Sequence, residues 1–217
     1  MAEVLDRRPT AAGEIVLRRT GAGFEIIVDG VFAMANHLGG RSEQHQVEVT
    51  LGAVDEPATV LIGGLGLGYA LNRAVTDPRL RHIVVAEVEP AVIEWHHSYL
   101  SELTAAALGD PRVVVIEGDV AAVVDGAAAR FDAIVLDVDN GPDWLIRPDN
   151  ARLYEAPFVD ACATALTPTG ALSVWGAQPS ARLRHAFDRR FGRVDEYRVE
   201  VPRGDSDWFC VASRPRR

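Results

Sequence analysis

Residues 60–68 read Val-Leu-Ile-Gly-Gly-Leu-Gly-Leu-Gly, an apolar run that passes into a turn with four glycines in six positions. The run, which starts at Thr59, is typical of a buried parallel strand. Glycines let the backbone turn sharply and approach a ligand with no side chain in between. The helix expected over residues 67–74 would point its N-terminal N–H groups at that ligand. The stretch therefore predicts a nucleotide-type site in an open α/β sheet.

The glycine spacing narrows the class of ligand. Gly64, Gly66 and Gly68 follow a G-x-G-x-G pattern, whereas the dinucleotide fingerprint would need a glycine at Tyr69. No Gly-Lys-Ser/Thr follows, which argues against a phosphate loop. The turn resembles the first motif of AdoMet-dependent methyltransferases and their relatives. A glycine-rich turn that binds no ligand is the structural alternative.

Composition sets broad bounds on partners. The chain has 217 residues and a net charge of −9, so we expect a cationic or neutral small molecule rather than nucleic acid. Cys162 and Cys210 form no metal-ligand spacing, and no metal is expected. No signal core and no membrane-length apolar run stand out, so the sequence predicts a cytoplasmic protein without a membrane partner.

The segment before the glycine turn predicts a small antiparallel β-meander. Its strand-forming runs, separated by glycine-rich turns, are residues 14–19, 24–28 and 31–36. We expect the first ten residues to be loose, and residues 38–54 to hold a loop and a helix. The predicted domains are residues 1–54, the meander and its linking segment, and residues 55–217, the ligand-binding domain.

From Thr59 onward, strand and helix patterns alternate. Predicted strands cover residues 59–62, 82–87, 113–116, 131–137 and 171–175, and predicted helices cover residues 67–74, 90–100, 119–124, 150–166 and 181–190. A closing hairpin of residues 193–201 and 208–212 turns at residues 203–205. The fold class is α/β, with a mostly parallel Rossmann-like sheet and one antiparallel strand near an edge.

Two acids follow the strands next to the glycine turn. Glu87 ends the second strand, 23 residues after Gly64, which suits a carboxylate that binds both ribose hydroxyls. An exposed glutamate that favours the next helix is the alternative. Asp119 could accept a hydrogen bond from an adenine amino group, or cap the helix that starts at Val120. The two roles of Asp119 are compatible.

A polar cluster follows the fourth strand. Asp137, Asp139, Asn140, Asp143 and Trp144 lie within eight residues. Carboxylates here could hold an ammonium group or act as a general base, and the indole could cover a cation or a sulfonium. A solvated acidic turn is the alternative.

Aromatic residues and histidines elsewhere give weaker signals. Trp175, after the fifth strand, is equally compatible with an acceptor-pocket wall and with core packing. His96 and His97 are expected to be structural, and Trp208 to pack in the sheet. Gln44 and His45 could cover the site.

Taken together, these residues resemble spermidine synthases, the aminopropyltransferase branch of the AdoMet-dependent fold. The resemblance covers most of the chain and rests on Val28-Asp29-Gly30, the glycine turn, Glu87, Gly118-Asp119, the run from Asp137 to Pro142, and Leu153-Tyr154. It implies a class I methyltransferase sheet, with Glu87 on the ribose, Asp119 on the adenine and Asp137 on the aminopropyl amine. The expected cofactor residues are Gly63, Gly64, Leu65, Gly66, Glu87, Val88, Gly118, Asp119 and Asp137.

Two departures from the family pattern affect the expected reaction. Leu65 stands where the family usually carries an acid near the aminopropyl chain, which removes a repulsion against the carboxylate of intact AdoMet. Asn140 aligns with the family's catalytic aspartate, and Asp139 could substitute for it. The catalytic candidates are thus Asp137, Asp139 and Asn140, and the substrate-binding candidates are Asp139, Asp143, Trp144 and Trp175.

The sequence therefore predicts a small-molecule transferase that uses S-adenosyl-L-methionine, with methyl transfer to an amine or another small nucleophile as the main hypothesis. Aminopropyl transfer from decarboxylated AdoMet is the first alternative. A non-catalytic nucleoside-binding or regulatory homologue is the second. In such a family the meander often lies near a subunit contact, so a homodimer is one expected assembly.

Overall fold

The computed structural model describes residues 2–10, 13–36, 40–201 and 206–216. An antiparallel sheet comes first in the chain, with strands in sequential order. These strands are β1 (Glu3–Thr10), β2 (Gly13–Thr20), β3 (Gly23–Val28) and β4 (Val31–Ala35). The predicted meander is confirmed and has one strand more than expected.

The expectation that the first ten residues are loose was wrong. β1 is an edge strand that pairs with β2, and its side chains are mostly exposed, so it carries no apolar alternation. The Trp95 Nε1–H donates to Asp6 Oδ2 at 2.9 Å, which joins this polar strand to the helical layer of the rest of the chain.

Seven strands form the central sheet in the order β10-β11-β9-β8-β5-β6-β7. They are β5 (Thr59–Gly63), β6 (His82–Glu87), β7 (Val113–Glu117), β8 (Phe131–Leu136), β9 (Leu166–Gly176), β10 (Phe191–Val199) and β11 (Asp207–Pro215). β11 runs antiparallel to both of its neighbours, and the other pairs are parallel. The predicted fold class is confirmed. The turn predicted at residues 203–205 lies outside the described residues.

Helices cover the sheet. They are α1 (Arg41–Gly52), α2 (Tyr69–Val75), α3 (Pro90–His96), α4 (Ser101–Leu108), α5 (Val120–Val124), α6 (Ala156–Ala165) and α7 (Ala181–Arg190), with a 3-10 helix over Pro148–Tyr154. The helix predicted over residues 150–166 is divided at Glu155. Pro157 lies in the first turn of α6, where its ring would clash with a preceding helical turn. α4 was not predicted, because it is too short to give a periodic apolar pattern.

The strand order places the predicted site residues at one edge of the central sheet. β6 and β8 lie on opposite sides of β5, so the strand order reverses at the glycine turn, and a crevice opens beyond the strand ends. The N-terminal sheet packs into the same core as one face of the central sheet, with Leu17 and Ile26 in one cluster with Leu71 and Val85. The domain boundary at residue 54 stays a prediction. In the ranges given above, no helix is both long and apolar enough to cross a bilayer.

Candidate active site

A cavity of about 940 Å³ opens at the carboxyl ends of the central strands, which is within the size range of small-molecule sites. Residues after β5, β6, β7 and β8 form its floor. The N-terminal sheet, the first turn of α1 and the start of β11 complete its walls. The sheet edge that the sequence predicts to bind a cofactor therefore borders this cavity.

Two glycines of the turn line this cavity with bare backbone. Gly64 has φ 94°, and a Cβ there would lie 2.2 Å from the carbonyl oxygen of Asp137. Gly66 has φ 50°, and a Cβ there would lie 2.7 Å from Met34 Sδ. The turn is also bonded to its neighbours: the Gly64 N–H donates to the Ala86 carbonyl at 2.9 Å. A ligand at this edge can therefore touch the backbone itself.

Leu65 does not take the place expected for it. Its side chain is only 5% exposed and packs in the core rather than along the cavity. Its neighbours Gly64 and Gly66 line the cavity instead. The Leu65 side chain is therefore not placed to contact a ligand in the cavity, and the effect of lacking an acid at this position stays a prediction. What Leu65 contributes is its backbone N–H, which donates to Glu87 Oε2 at 2.7 Å.

Glu87 is held at the end of β6, facing the cavity. Its Oε1 accepts from the Glu89 N–H at 2.8 Å. Burial raises the pKa of Glu87, whereas the backbone hydrogen bonds from Leu65 and Gly66 and the Arg147 guanidinium oppose that rise. A carboxylate has about four acceptor positions, and the N–H groups of Leu65, Gly66 and Glu89 occupy three of them, so contact with both ribose hydroxyls stays a prediction. Val88, which follows it, also lines the cavity.

Asp119 caps a helix, as the alternative expected. Its Oδ1 accepts from the Ala121 N–H at 2.8 Å, and its Oδ2 forms an ion pair with Arg152. Gly118 lines the cavity, and a Cβ there would meet nothing within 4 Å. The open space beside Gly118 suits a flat ring, and an adenine contact by Asp119 stays a prediction. Glycine backbone, Glu87 and this space together fit an adenosyl group.

Three further carboxylates lie near one another in the cavity, beside the glycine turn. Asp137 follows β8, Glu43 lies in the first turn of α1, and Asp207 begins β11. Ser42 Oγ lies 2.6 Å from Asp207 Oδ2 and 2.7 Å from Glu43 Oε2. A hydroxyl has one proton to donate, so the second short contact needs a proton on one of the two carboxyls.

Burial and mutual repulsion make this acid cluster (Glu43, Asp137 and Asp207) hard to ionise. Burial is the main cause that raises the pKa of all three carboxyls. The charges of Glu43, Asp207 and Glu87 add to it and hold the pKa of Asp137 well above its usual range. None of the described side chains donates a hydrogen bond to the Asp137 carboxyl. A bound cation would relieve this repulsion.

Glu43 and Asp207 were not predicted. Glu43 stands beside Gln44 and His45, but those two do not line the cavity, and the His45 ring packs at 5.5 Å from the Phe209 ring. Asp207 could have been found from topology. Because β11 is antiparallel, its beginning lies at the same sheet edge as the ends of the parallel strands.

The Asp139 carboxylate accepts hydrogen bonds from residues of its own loop. Its Oδ1 accepts from the Asn140 and Ile146 N–H groups at 2.8 and 2.7 Å. Its Oδ2 accepts from the Arg147 N–H at 3.0 Å and from Asn150 Nδ2 at 2.9 Å. Four donors therefore hold the carboxylate that was a candidate base, and they fix the loop that carries Arg147 into the cavity.

Not all of the remaining catalytic and substrate-binding candidates line the cavity. Asn140, Trp144 and Trp175 line the cavity, whereas Asp143 is exposed and does not. The Trp175 indole N–H is buried without an acceptor in the described part of the chain. Trp208 is fully buried in the sheet, as expected.

His96 supports the glycine turn from behind. Its Nε2 lies 2.9 Å from the Gly66 carbonyl oxygen, and its Nδ1 lies 2.7 Å from Thr104 Oγ1. Because a carbonyl oxygen only accepts, Nε2 carries the proton. This agrees with the structural role expected for His96. Over the described ranges, no group of three or more histidine, cysteine or acidic side chains could hold a metal ion.

Strand order, glycine turn and strand-end glutamate together define an α/β fold of the AdoMet-dependent transferase class. The profile of the spermine/spermidine synthase domain matches residues 34–186. The chain belongs to this family of transferase enzymes.

Relatives agree with this assignment. The chain is 33% identical over 222 residues to a polyamine aminopropyltransferase of Mycobacterium tuberculosis, covering 97% of this chain and 41% of that protein. It is 32% identical over 161 residues to putrescine N-methyltransferase 2 of Nicotiana tabacum, covering 70% of this chain and 43% of that protein. The chain thus spans less than half the length of these relatives.

Solved structures show the same fold. Spermidine synthase from Thermotoga maritima superposes with a TM-score of 0.82 at 19% identity, covering 97% of this chain and 72% of that one. A spermidine synthase in complex with the transition-state analogue AdoDATO gives a TM-score of 0.81 at 20% identity, with the same coverage.

Gly64→Ala tests the close approach between the turn and Asp137. We expect it to lower the free energy of unfolding by about 1–3 kcal/mol more than Gly126→Ala, because only residue 64 meets a backbone oxygen. Gly126 is the matched control: it also has positive φ, at 70°, but a Cβ there would meet nothing within 4 Å. Urea unfolding of both variants measures the difference, and equal losses would contradict the packing argument.

Asp139→Asn tests the loop clamp. The amide nitrogen would face two donors, so we expect a loss of about 1–3 kcal/mol in unfolding free energy and faster proteolysis within residues 140–147. Asp143→Asn, on the same loop but exposed, should change neither. The clamp is refuted if the two variants unfold and digest alike.

Proposed function

We propose that the chain transfers an aminopropyl group from decarboxylated AdoMet to a small amine. The observation that carries this proposal is the acid cluster of Glu43, Asp137 and Asp207 beside the glycine turn. Three partly buried carboxylates that form no ion pair with any described cation fit ammonium groups and would repel the carboxylate of intact AdoMet. The aminopropyltransferase relatives support the same function. This function therefore replaces methyl transfer as the main proposal.

Different residues would bind the donor, activate the acceptor and position the loop. Glu87 would hold the ribose and the backbone at Gly64 and Gly66 would lie along the sulfur side chain. Asp137 is the candidate base, because its raised pKa suits a group that takes a proton from an ammonium near neutral pH. Asp139 would be a positioning residue that keeps the loop after β8 in place.

The transfer step balances without a further reactant. Bound decarboxylated AdoMet supplies a sulfonium, whose propyl carbon is the electrophile. Once Asp137 accepts a proton from the acceptor ammonium, the nitrogen lone pair forms the new C–N bond. The C–S bond breaks, and its electron pair stays on sulfur as a neutral thioether. The enzyme supplies alignment of the two partners and the base.

Methyl transfer from intact AdoMet is the second candidate, and Arg41 is the observation in its favour. Arg41 lines the cavity, is exposed, and forms no ion pair with any described residue. It could pair with the AdoMet carboxylate. In addition, the glycine turn itself places no carboxylate in the cavity, since Leu65 points into the core.

Titration with both forms of AdoMet, followed by an amine-transfer assay, tests the proposal. We expect at least about tenfold tighter binding of the decarboxylated form and transfer of its aminopropyl group. Arg41→Ala should leave that preference intact. A preference for intact AdoMet that Arg41→Ala abolishes, with a methylated product, would instead establish methyl transfer. Binding of neither form would remove both candidates.

Asp137→Asn and Glu43→Gln test the acid cluster itself. A carboxyl with a raised pKa in the folded state stabilises fully below its unfolded pKa, and that stability is lost as pH rises through the folded pKa. Both variants should therefore be more stable than the parent at pH about 8 and gain little at pH about 4. Their affinity for an amine should fall about tenfold or more.

Asp143→Asn is the control for these charge changes, because Asp143 is exposed outside the cavity. It should alter neither the pH dependence of unfolding nor amine affinity. Thermal unfolding across pH and calorimetric titration with a diamine are the measurements. Unchanged amine affinity in Asp137→Asn would exclude the cluster as the amine site.

A further inference from the structure

Two buried side chains from α3 and α4, His96 and Thr104, lie directly behind the glycine turn. Each of them is only 1% exposed. The imidazole joins the two, with Nδ1 at 2.7 Å from Thr104 Oγ1 and Nε2 at 2.9 Å from the Gly66 carbonyl oxygen. Gly66 lines the cavity, whereas His96 and Thr104 do not. The Gly66 backbone therefore lies between the cavity and the imidazole.

The contacts of the imidazole fix where its proton lies. A carbonyl oxygen only accepts, so Nε2 carries the ring proton, and Nδ1 accepts from the Thr104 hydroxyl. Burial lowers the pKa of His96, and the neighbouring His97 acts in the same direction, although the bond to Gly66 opposes both. The ring is therefore neutral near pH 7, with one proton to donate. Thr104 favours the tautomer in which that proton faces Gly66.

The packing of α4 holds this arrangement against the turn. A Cβ on Gly68 would lie 2.2 Å from Thr104 Cγ2, so α4 touches the turn directly. The Asn72 side-chain amide donates to the Leu103 carbonyl at 2.9 Å, which ties α4 to α2, the helix that follows the turn. The imidazole is thus held at a fixed distance from Gly66.

Gly66 links the imidazole to Glu87. With φ 50° and no side chain, Gly66 has little conformational preference of its own to hold the turn in one shape. Its N–H donates to the Glu87 carboxyl, beside the N–H of Leu65. Its carbonyl is held by His96. Without the imidazole donor, that carbonyl would lose its partner, and the residue that shapes this part of the cavity could turn.

We propose that His96 is a positioning residue of the donor site, whose single ring proton, directed by Thr104, holds Gly66 so that the turn and Glu87 fit the adenosyl group. His96 touches no ligand and acts through Gly66. Loss of its donor should weaken nucleoside binding and leave the affinity for an amine unchanged. The inference rests on the proposed function in one respect: it takes the glycine turn as the donor site.

Two amide variants separate the ring proton from the bulk of the ring. In His96→Gln the amide nitrogen can reach the position of Nε2 and donate to Gly66, whereas in His96→Asn it reaches only the position of Nδ1. We expect His96→Asn to weaken binding of methylthioadenosine about tenfold, and His96→Gln to restore most of that loss. In a transfer assay, the KM for decarboxylated AdoMet should rise in the same order, with a smaller change in kcat.

Calorimetric titration of the full chain with methylthioadenosine, and separately with a diamine, measures these affinities, and thermal unfolding verifies that each variant is folded. His97→Asn is the matched control, because His97 is exposed beside His96, and it should bind like the parent. Thr104→Val keeps the side-chain shape but removes the donor to Nδ1. It should weaken nucleoside binding about threefold, and it tests the inference if His96→Asn fails to fold. Nitrogen-15 NMR of the parent should find the His96 proton on Nε2.

Three results would overturn the inference: nucleoside affinity equal to the parent in His96→Asn, equal losses in both amide variants, or a ring proton on Nδ1. Equal losses would mean that the ring only fills space. Failure of the proposed function gives a different result: nucleoside binding with the expected order of variants, but no product from decarboxylated AdoMet with any amine. That outcome would remove aminopropyl transfer while the role of His96 stands. A parent chain that binds no methylthioadenosine would overturn both.

Discussion

The site depends on one contact: the backbone of Gly64 against the carbonyl oxygen of Asp137. No side chain fits between them, so the ends of β5 and β8 approach closely only because residue 64 is glycine. The Asp137 N–H donates to the Gly63 carbonyl at 2.9 Å, which holds the two strand ends together. The same turn points the Leu65 N–H at Glu87. One packing constraint at the reversal of strand order therefore positions both Glu87 and Asp137, the acids proposed to bind the ribose and the amine.

Local signals were sufficient for the elements that build this contact. The apolar run before the glycines, the offset of Glu87 and the alternation of strand and helix all depend on residues close in sequence, and they predicted the sheet correctly. β1 was missed because an exposed edge strand needs no apolar face. The helix predicted over residues 150–166 is divided because Pro157 is incompatible with a continuous helical turn before it.

The acid cluster shows what sequence reasoning could not supply. Ser42 and Asp207 are 165 positions apart, and only the antiparallel insertion of β11 brings them together. Asp137 and Asp139 are two positions apart and chemically identical, yet Asp139 accepts four hydrogen bonds within its loop while Asp137 faces other acids. The surroundings of each carboxyl, which the linear pattern does not record, therefore separate Asp139, held within its loop, from Asp137, whose pKa is raised.

The acid cluster also explains why the proposed acceptor is a cation. Carboxyls with raised pKa values repel each other, and folding gains nothing from their ionisation. A bound ammonium would relieve that repulsion, whereas a neutral molecule would leave it in place. The acid cluster thus carries an electrostatic cost that a positively charged ligand would remove.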